Sequence, residues 1–294
     1  MNSRGHTLPE PDVVETRVSL RTLSEVGGRP TFIDYLVRLW DYRHFVFFDA
    51  RARVMHSHVQ DRLGSLWLIL NPLLSGATYY FVFGVMLGTG KGIENFVAYL
   101  LIGVYLFNFS TRTINAASRS ISGNLRILRA FPFPRAVLPL ASNLREAMSM
   151  VPGMLVVLLL IVAFPPAEVI SEKWLLLVPI LVLQTTFHLG VSLILARIVS
   201  FARDVTHLVA FAMRVWLYIS AVFFSPDRFA DHPIIKTILE INPMFRVLDM
   251  ARDCLIYNRL PATQSWLILA LWSLVTLIMG LVFFWRGEES YGRD

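Results

Sequence analysis

Hydrophobic positions in this chain gather into long runs and do not alternate as they would in half-buried strands. Six runs begin at Leu66, Phe96, Ala136, Trp174, Val205 and Trp266, and each approaches the roughly 20 apolar residues that carry an α-helix across a bilayer core of about 30 Å. They predict spans over about 66–87, 96–111, 136–164, 174–196, 205–224 and 266–285. In span one Pro72 follows Asn71 and removes a backbone donor, so the helix can kink there. Span two ends at Arg112, which can snorkel to the interface. Span three is long enough to tilt. The expected fold is an all-α polytopic membrane protein with six transmembrane helices.

Two further stretches are patterned but not apolar enough to cross. Over residues 31–50, TFIDYLVRLWDYRHFVFFDA, a turn of about 100° per residue collects Asp34, Arg38, Asp41 and Asp49 on one arc and sets Phe32, Tyr35, Leu36, Leu39 and Trp40 largely opposite. An N-terminal amphipathic helix lying in the membrane interface is expected. The alternative is a surface helix of a small soluble domain, for which too few apolar residues follow. Between spans five and six, Ile234, Ile235, Ile238 and Leu239, then Phe245, Leu248 and Met250, predict two short helices broken at Asn242-Pro243, re-entrant or surface-lying on the outer side. No repeat at a fixed period is present. The expected organisation is a disordered cytosolic leader over 1–30, the interface helix and a linker over 31–62, the six-span domain over 63–286, and a cytosolic tail over 287–294.

Composition agrees with lipid as the solvent of the core: 55% of residues are hydrophobic and only 16% charged. The net charge of +6 would suit nucleic acid if it were spread over one face, but its distribution points elsewhere. Nine arginines, Arg4 to Arg62, precede the first span, and Arg112, Arg119, Arg126, Arg129 and Arg135 surround the second connection, whereas the first and third connections carry one lysine each, Lys91 and Lys173. Basic residues collect on the cytosolic side of membrane proteins, so both termini are expected there. The fifth connection, with five basic and five acidic residues, has no vote. The first thirty residues lack the apolar run of a signal peptide, and none is expected.

Candidate chemistry is sparse. Residues 84–92, GVMLGTGKG, fail the phosphate-loop pattern, because Val85 stands at the first glycine position and Gly92 at the hydroxyl position. His56 and His58, the closest pair of histidines, lie on different faces of a helix, so no metal site is expected. Cys254 has no cysteine partner. No Ser/His/Asp spacing stands out, and the spans hold almost no Asp or Glu, against a proton-coupled carrier or a membrane enzyme with several carboxylates. No catalytic residue or cofactor is assigned to the chain, and any energy source must lie outside it. Arg145 and Arg214 differ, since an arginine within a span is costly unless paired or wetted. Either they pair across helices, with Glu146 or a backbone carbonyl, or they meet an anionic lipid headgroup.

Set on this topology, several local patterns resemble the membrane subunit of ATP-binding-cassette exporters of cell-surface polysaccharide, the O-antigen, teichoic acid and galactan permeases. They are Leu63-Gly64, Leu66-Trp67 and Asn71-Pro72 at span one; Tyr99-Leu100-Leu101 with Gly103 in span two; Asn124, Phe133-Pro134 and Leu138-Pro139 between spans two and three; Arg203-Asp204 before span five; and Asn242-Pro243. Each is weak alone, and their order makes the resemblance specific. Two departures stand out. Ser220-Ala221-Val222-Phe223 replaces a more usual Ser-Pro-Val-aromatic, implying a softer break at the end of span five, and Asp61-Arg62 replaces small polar residues.

The resemblance implies a homodimeric permease of the bacterial cytoplasmic membrane whose two copies frame a tunnel. Two nucleotide-binding ATPase subunits would drive it with Mg-ATP that they, not this chain, bind, and the cargo would be a polyprenyl-diphosphate-linked polysaccharide. The basic, proline-bounded stretch at 120–131 would be a coupling helix docking on the ATPase, with Asn124, Arg126 and Arg129 at the contact and Arg203 and Asp204 in a second, shorter one. A solvated loop that only enforces topology is the competing reading. Tyr79, Phe83, Tyr99, Trp216 and Tyr218 would line the tunnel, because flat rings stack on the C–H faces of sugars; packing between helices or an interfacial belt would equally use such rings. Rival functions are a drug or small-lipid exporter of the same fold and, more distantly, a membrane glycosyl- or acyltransferase.

Overall fold

The computed structural model describes residues 30–57, 66–88, 90, 93–131, 133–164, 166, 168–226, 232–289 and 291. The leader 1–29, His58, Asp61 to Gly64, Lys91 and Gly92 lie outside these residues, as do the side chains of His56 and Arg129.

Among the described residues every regular element is helical. The chain runs α1 (Phe32–Asp41), α2 (Arg43–Ser57), α3 (Leu66–Tyr79) continuing as a π-helix (Tyr80–Met86), α4 (Phe96–Ser118), a 3-10 turn (Ser122–Asn124) into α5 (Leu125–Ala130), and α6 (Val137–Ala163). A second 3-10 turn (Glu172–Leu176) leads into α7 (Leu177–Phe201), followed by α8 (Val205–Ile219), α9 (Pro233–Ile241), α10 (Pro243–Leu255) and α11 (Thr263–Trp285). Four helical segments, Phe96–Ser118, Val137–Ala163, Glu172–Phe201 and Thr263–Trp285, are long and apolar enough to cross a membrane; spans one and five correspond to shorter apolar helices.

The centre is α4, which packs against α3, α6, α7, α8 and α10. Its hydroxyls are spent on its own backbone: Ser110 donates to the Leu106 carbonyl and Thr113 to that of Phe109, which lets them sit fully buried. Across the interface with α7, the Gln184 amide donates to the Leu106 carbonyl and to Ser110 Oγ, each at 3.1 Å, and His188 Nε2 lies 2.8 Å from the same hydroxyl. The α7–α11 pair is held differently. A Cβ added at Gly190 would stand 2.3 Å from the Thr276 carbonyl carbon, and one at Gly280 2.4 Å from the Gly190 oxygen. Small residues let backbones meet, and in lipid such close packing replaces a hydrophobic driving force.

The amphipathic stretch is two helices and not one. Thr31 caps α1, its Oγ1 accepting the Asp34 N–H at 3.3 Å, and the helix closes at Tyr42, whose N–H reaches the Arg38 carbonyl. The segment expected to be a linker continues as α2, which packs along α6 with Val46 and Ala50 buried. On α1, Tyr35 and Leu39 turn inward while Ile33, Val37 and Trp40 stay exposed, so apolar side chains occupy two sides of a ten-residue helix. The tail after α11 is equally engaged. Tyr35 donates to Glu288 at 3.0 Å, the Arg135 N–H donates to the other Glu288 oxygen at 2.9 Å, and Tyr291, 2% exposed, donates to the Phe284 carbonyl. Burial holds the Glu288 carboxyl above its ordinary pKa, outweighing those two donors, which favour the charged form.

Candidate functional site

Three regions carry the residues singled out from sequence. The first is where the π-helix after α3, the end of α8 and the short helices α9 and α10 come together. Asn242 caps α10 by accepting the Met244 N–H at 3.0 Å, and Pro243 follows at the first helical position, where its missing N–H costs nothing. The same Asn242 amide ties down the end of α8: its Oδ1 accepts from Trp216 Nε1 at 3.0 Å and its Nδ2 donates to Ser220 Oγ at 3.1 Å. The two short helices therefore meet where Asn242-Pro243 placed the break. Beyond α8 the chain does not turn softly. Ala221 adopts a left-handed φ of 52°, a conformation that proline, fixed near −65°, cannot take.

Around that turn the aromatic candidates divide. Tyr79, Phe83 and Tyr218 converge on Phe223, at centroid distances of 5.1, 4.1 and 5.8 Å, with Phe83 stacked at an interplanar angle of 6°. Tyr218 is 59% exposed and the two span-one rings are half-buried. Trp216 lies half-buried against Phe107 and Phe187. Tyr99 is 2% exposed; its hydroxyl donates to the Phe224 carbonyl at 2.6 Å, and the Arg252 guanidinium covers its ring at 3.3 Å. Phe223 at the middle of the group was not singled out from sequence, although the motif containing it was.

Sequence reasoning also missed Arg252 and Arg246. Arg252 donates to the carbonyls of Ala221, Val222 and Tyr99 at 3.0, 3.1 and 3.3 Å, and a side chain at Gly103 would strike it at 2.6 Å. Arg246 donates to the Glu240 carbonyl at 2.6 Å and to Ser265 at 3.2 Å. Two buried guanidiniums thus bind the Ala221, Val222 and Glu240 carbonyls, near the ends of α8 and α9.

The second region comprises the connections after α4 and α7. The predicted helix at 120–131 is a 3-10 turn followed by α5, six residues long. Asn124 donates to the Ser120 carbonyl at 2.7 Å, the 3-10 turn rests on α7, and Leu128 is buried, leaving Arg126 exposed. Arg203 and Asp204, also exposed, form the turn between α7 and α8, the Arg203 carbonyl accepting from the Thr206 hydroxyl at 2.8 Å. Third are the span arginines. Arg145 pairs with Glu146 at 3.3 Å on α6, and Arg214 is exposed, 5.9 Å from the Phe211 ring.

Long apolar helices around a buried polar-capped centre, with exposed basic turns at one end and a helical plug tied by arginine at the other, define a multi-pass membrane protein. The chain belongs to the ABC-2 type transporter family, whose model matches residues 51–256. It is similar to the O-antigen export system permease protein RfbA of Myxococcus xanthus, 28% identical over 264 residues that cover 88% of this chain and 98% of that protein. It also resembles the permease of the same name from Klebsiella pneumoniae, 25% identical over 225 residues, 76% of this chain and 83% of that one.

Proposed function

We propose that this chain is the permease subunit of an ATP-driven exporter that moves polyprenyl-diphosphate-linked cell-surface polysaccharide across the bacterial cytoplasmic membrane. The similarity to O-antigen export permeases over nearly the full length of the chain carries this reading. In it two copies form a homodimer, two nucleotide-binding subunits bind and hydrolyse Mg-ATP, and this chain catalyses no reaction. Six spans are α3 with its π-helix, α4, α6, α7, α8 and α11. Fifteen residues of α8 rise about 22 Å, short of the ~30 Å core, and α9 and α10 re-enter from the outer side to complete that layer. Both termini and α5 face the cytosol, and α1 lies in the interface with Ile33, Val37 and Trp40 toward lipid.

Exposed Arg126, with Arg129, Arg203 and Asp204, forms the ATPase-facing surface. Tyr79, Phe83, Tyr218 and Trp216 offer the polymer ring faces, backed from within the chain by Tyr99 and Phe223. Of the two arginines deep in spans three and five, Arg145 is matched by Glu146, which leaves Arg214 open to an anionic headgroup.

The test is a deletion strain: surface glycan should vanish while lipid-linked glycan accumulates inside, and normal surface glycan overturns the reading. Complementation with the Arg126→Glu, Arg129→Glu double variant should give an inserted, folded permease with export reduced tenfold or more. Unchanged export and unchanged complex formation would remove the docking role from α5.

A further inference from the structure

Between α3 and α4 lies a cavity of about 290 Å³ whose polar wall is built by Asn71, Ser75, Asn108, Thr111 and Arg112. Asn71 and Ser75 are four residues apart, as are Asn108 and Arg112, so each pair shares a helical face. On α4, the most buried of the four long helices, Asn108 and Arg112 are the two exposed residues, flanked by buried Phe107, Phe109 and Thr113. Arg112 makes no ion pair among the described residues, and Asn71, Ser75 and Asn108 make no side-chain hydrogen bond to them. Tyr105, whose hydroxyl donates to the Met150 carbonyl at 2.7 Å, lines the cavity beside them.

An arginine at the end of a span is met by water or by an anion at the headgroup level. Here the Arg112 guanidinium shares one cavity wall with the amides of Asn71 and Asn108 and the hydroxyl of Ser75. Such a set suits a tetrahedral oxyanion with several acceptor oxygens, which arginine binds in bidentate fashion. The other end of the cavity is apolar. Leu101 and Val104 line it, and it closes at Gly76, where an added Cβ would meet Leu101 at 2.6 Å. Pockets for small molecules run from about 300 to 1,000 Å³, so this one has room for a headgroup and a few carbons and none for a polymer. Arg112 stands sixteen residues after Phe96, about 24 Å along the helix, which is the inner headgroup level in the orientation proposed above.

We infer that this cavity seats the phosphate end of an amphiphile, Arg112, Asn71 and Asn108 binding phosphate oxygens and the Leu101–Val104 end taking the start of the hydrocarbon chain. The inference rests on the export reading for its orientation and for one source of the ligand, the polyprenyl diphosphate carrier; the other source is a bulk phospholipid headgroup.

Native mass spectrometry of the intact permease–ATPase complex, released from phosphatidylcholine nanodiscs doped with undecaprenyl diphosphate, undecaprenol or phosphatidylglycerol, tests it. Wild type should retain the diphosphate over the alcohol by tenfold or more, and Arg112→Gln should abolish that preference while Arg112→Lys keeps part of it. Phosphatidylglycerol retained as well as the diphosphate, and lost in the same variant, would uphold the phosphate seat and assign it to bulk lipid. If Arg112→Gln fails to assemble, Asn108→Leu, which fills the cavity and keeps the charge, carries the same expectation. Diphosphate retention unchanged by these variants overturns the inference, as does efficient disulfide formation between two Asn108→Cys copies, which would mean that a second chain covers the cavity. The export reading fails separately, through normal surface glycan in the deletion strain.

Discussion

Helix α10 and span one invert the usual relation between polarity and burial. In α10 the sequence PMFRVLDMARDCL includes four charged residues, yet eleven of its thirteen residues are buried, Arg246 and Arg252 among them. Span one, LWLILNPLLSGATY followed by YFVFGVM, has no charge at all, yet Gly76 is its one buried residue among those described, and the π-helical part has none. In water this would be perverse. In lipid an apolar surface gains little by leaving its solvent, so burial follows hydrogen-bonding demand and close backbone contact instead. The α9–α10 plug is fixed because carbonyls at broken helix ends need donors, whereas span one keeps an apolar face open.

The comparison breaks most severely at Arg252. Replacing it with Met leaves the Val222 carbonyl without its side-chain donor and the Ala221 carbonyl with only the Tyr99 hydroxyl at 3.3 Å, and it uncovers the Tyr99 ring, together a loss of about 3–5 kcal/mol. The variant should fail to give a monodisperse peak in detergent, and Arg252→Lys should not rescue it, because a point ammonium cannot span three carbonyls and stack on a ring. A well-behaved Arg252→Met protein would show that Asn242, Arg246 and packing hold the plug without it.

Tyr99→Phe is the next step down. It keeps the ring under Arg252 and removes the hydroxyl that holds the Phe224 carbonyl, costing about 1–3 kcal/mol. Thermal denaturation followed by size exclusion should show a clearly lowered midpoint. No change would place the whole anchoring role on the guanidinium.

Neither anchor was legible in sequence, although the helices around them were. Runs of twenty apolar residues mark spans, and Asn242-Pro243 marks a helix start, because those signals are local. Arg246 and Arg252 entered only as two of five basic residues balanced by five acidic ones. Their partners are carbonyls up to 153 residues away, and carbonyls leave no trace in a sequence. The same holds for the tail: Glu288 meets Tyr35 at a separation of 253 residues, so in sequence it was only part of an expected cytosolic tail. The division at Tyr42 had no glycine or proline to announce it. For the candidate site, ring spacing along a helix says which face a residue shares and not what lies opposite that face, so the burial of Tyr99 beneath Arg252 left no sign in the sequence.

Span one sharpens the contrast with the opposite outcome. Tyr79→Ala removes contacts to Phe83 and Phe223 and should cost about 1 kcal/mol of stability, leaving insertion and assembly intact. If the ring belongs to the surface proposed for the polymer, export of labelled glycan by cells carrying the variant should nevertheless slow several-fold. Full-rate export would mean that Tyr79 faces lipid, and the division between a fixed plug and a working span would lose its functional half.

The smallest effect is expected at the joint between the two regions. Ala221 is buried and left-handed, with φ of 52°, a conformation that costs an ordinary residue about 1–2 kcal/mol. It is kept there because the turn it makes presents the Ala221 and Val222 carbonyls to Arg252 and lays Phe223 against Phe83. Glycine adopts that φ without penalty, but it gives up the buried methyl and adds freedom to the unfolded chain, each worth roughly 0.5–1 kcal/mol. The relief and the losses nearly cancel, so Ala221→Gly should move the thermal midpoint by no more than about 3 °C, upward if strain is the larger contribution. A loss of Arg252→Met size would instead mean that the methyl group, packed at the foot of the plug, does what the guanidinium is credited with, and the anchoring of α10 would have to be assigned to the turn itself.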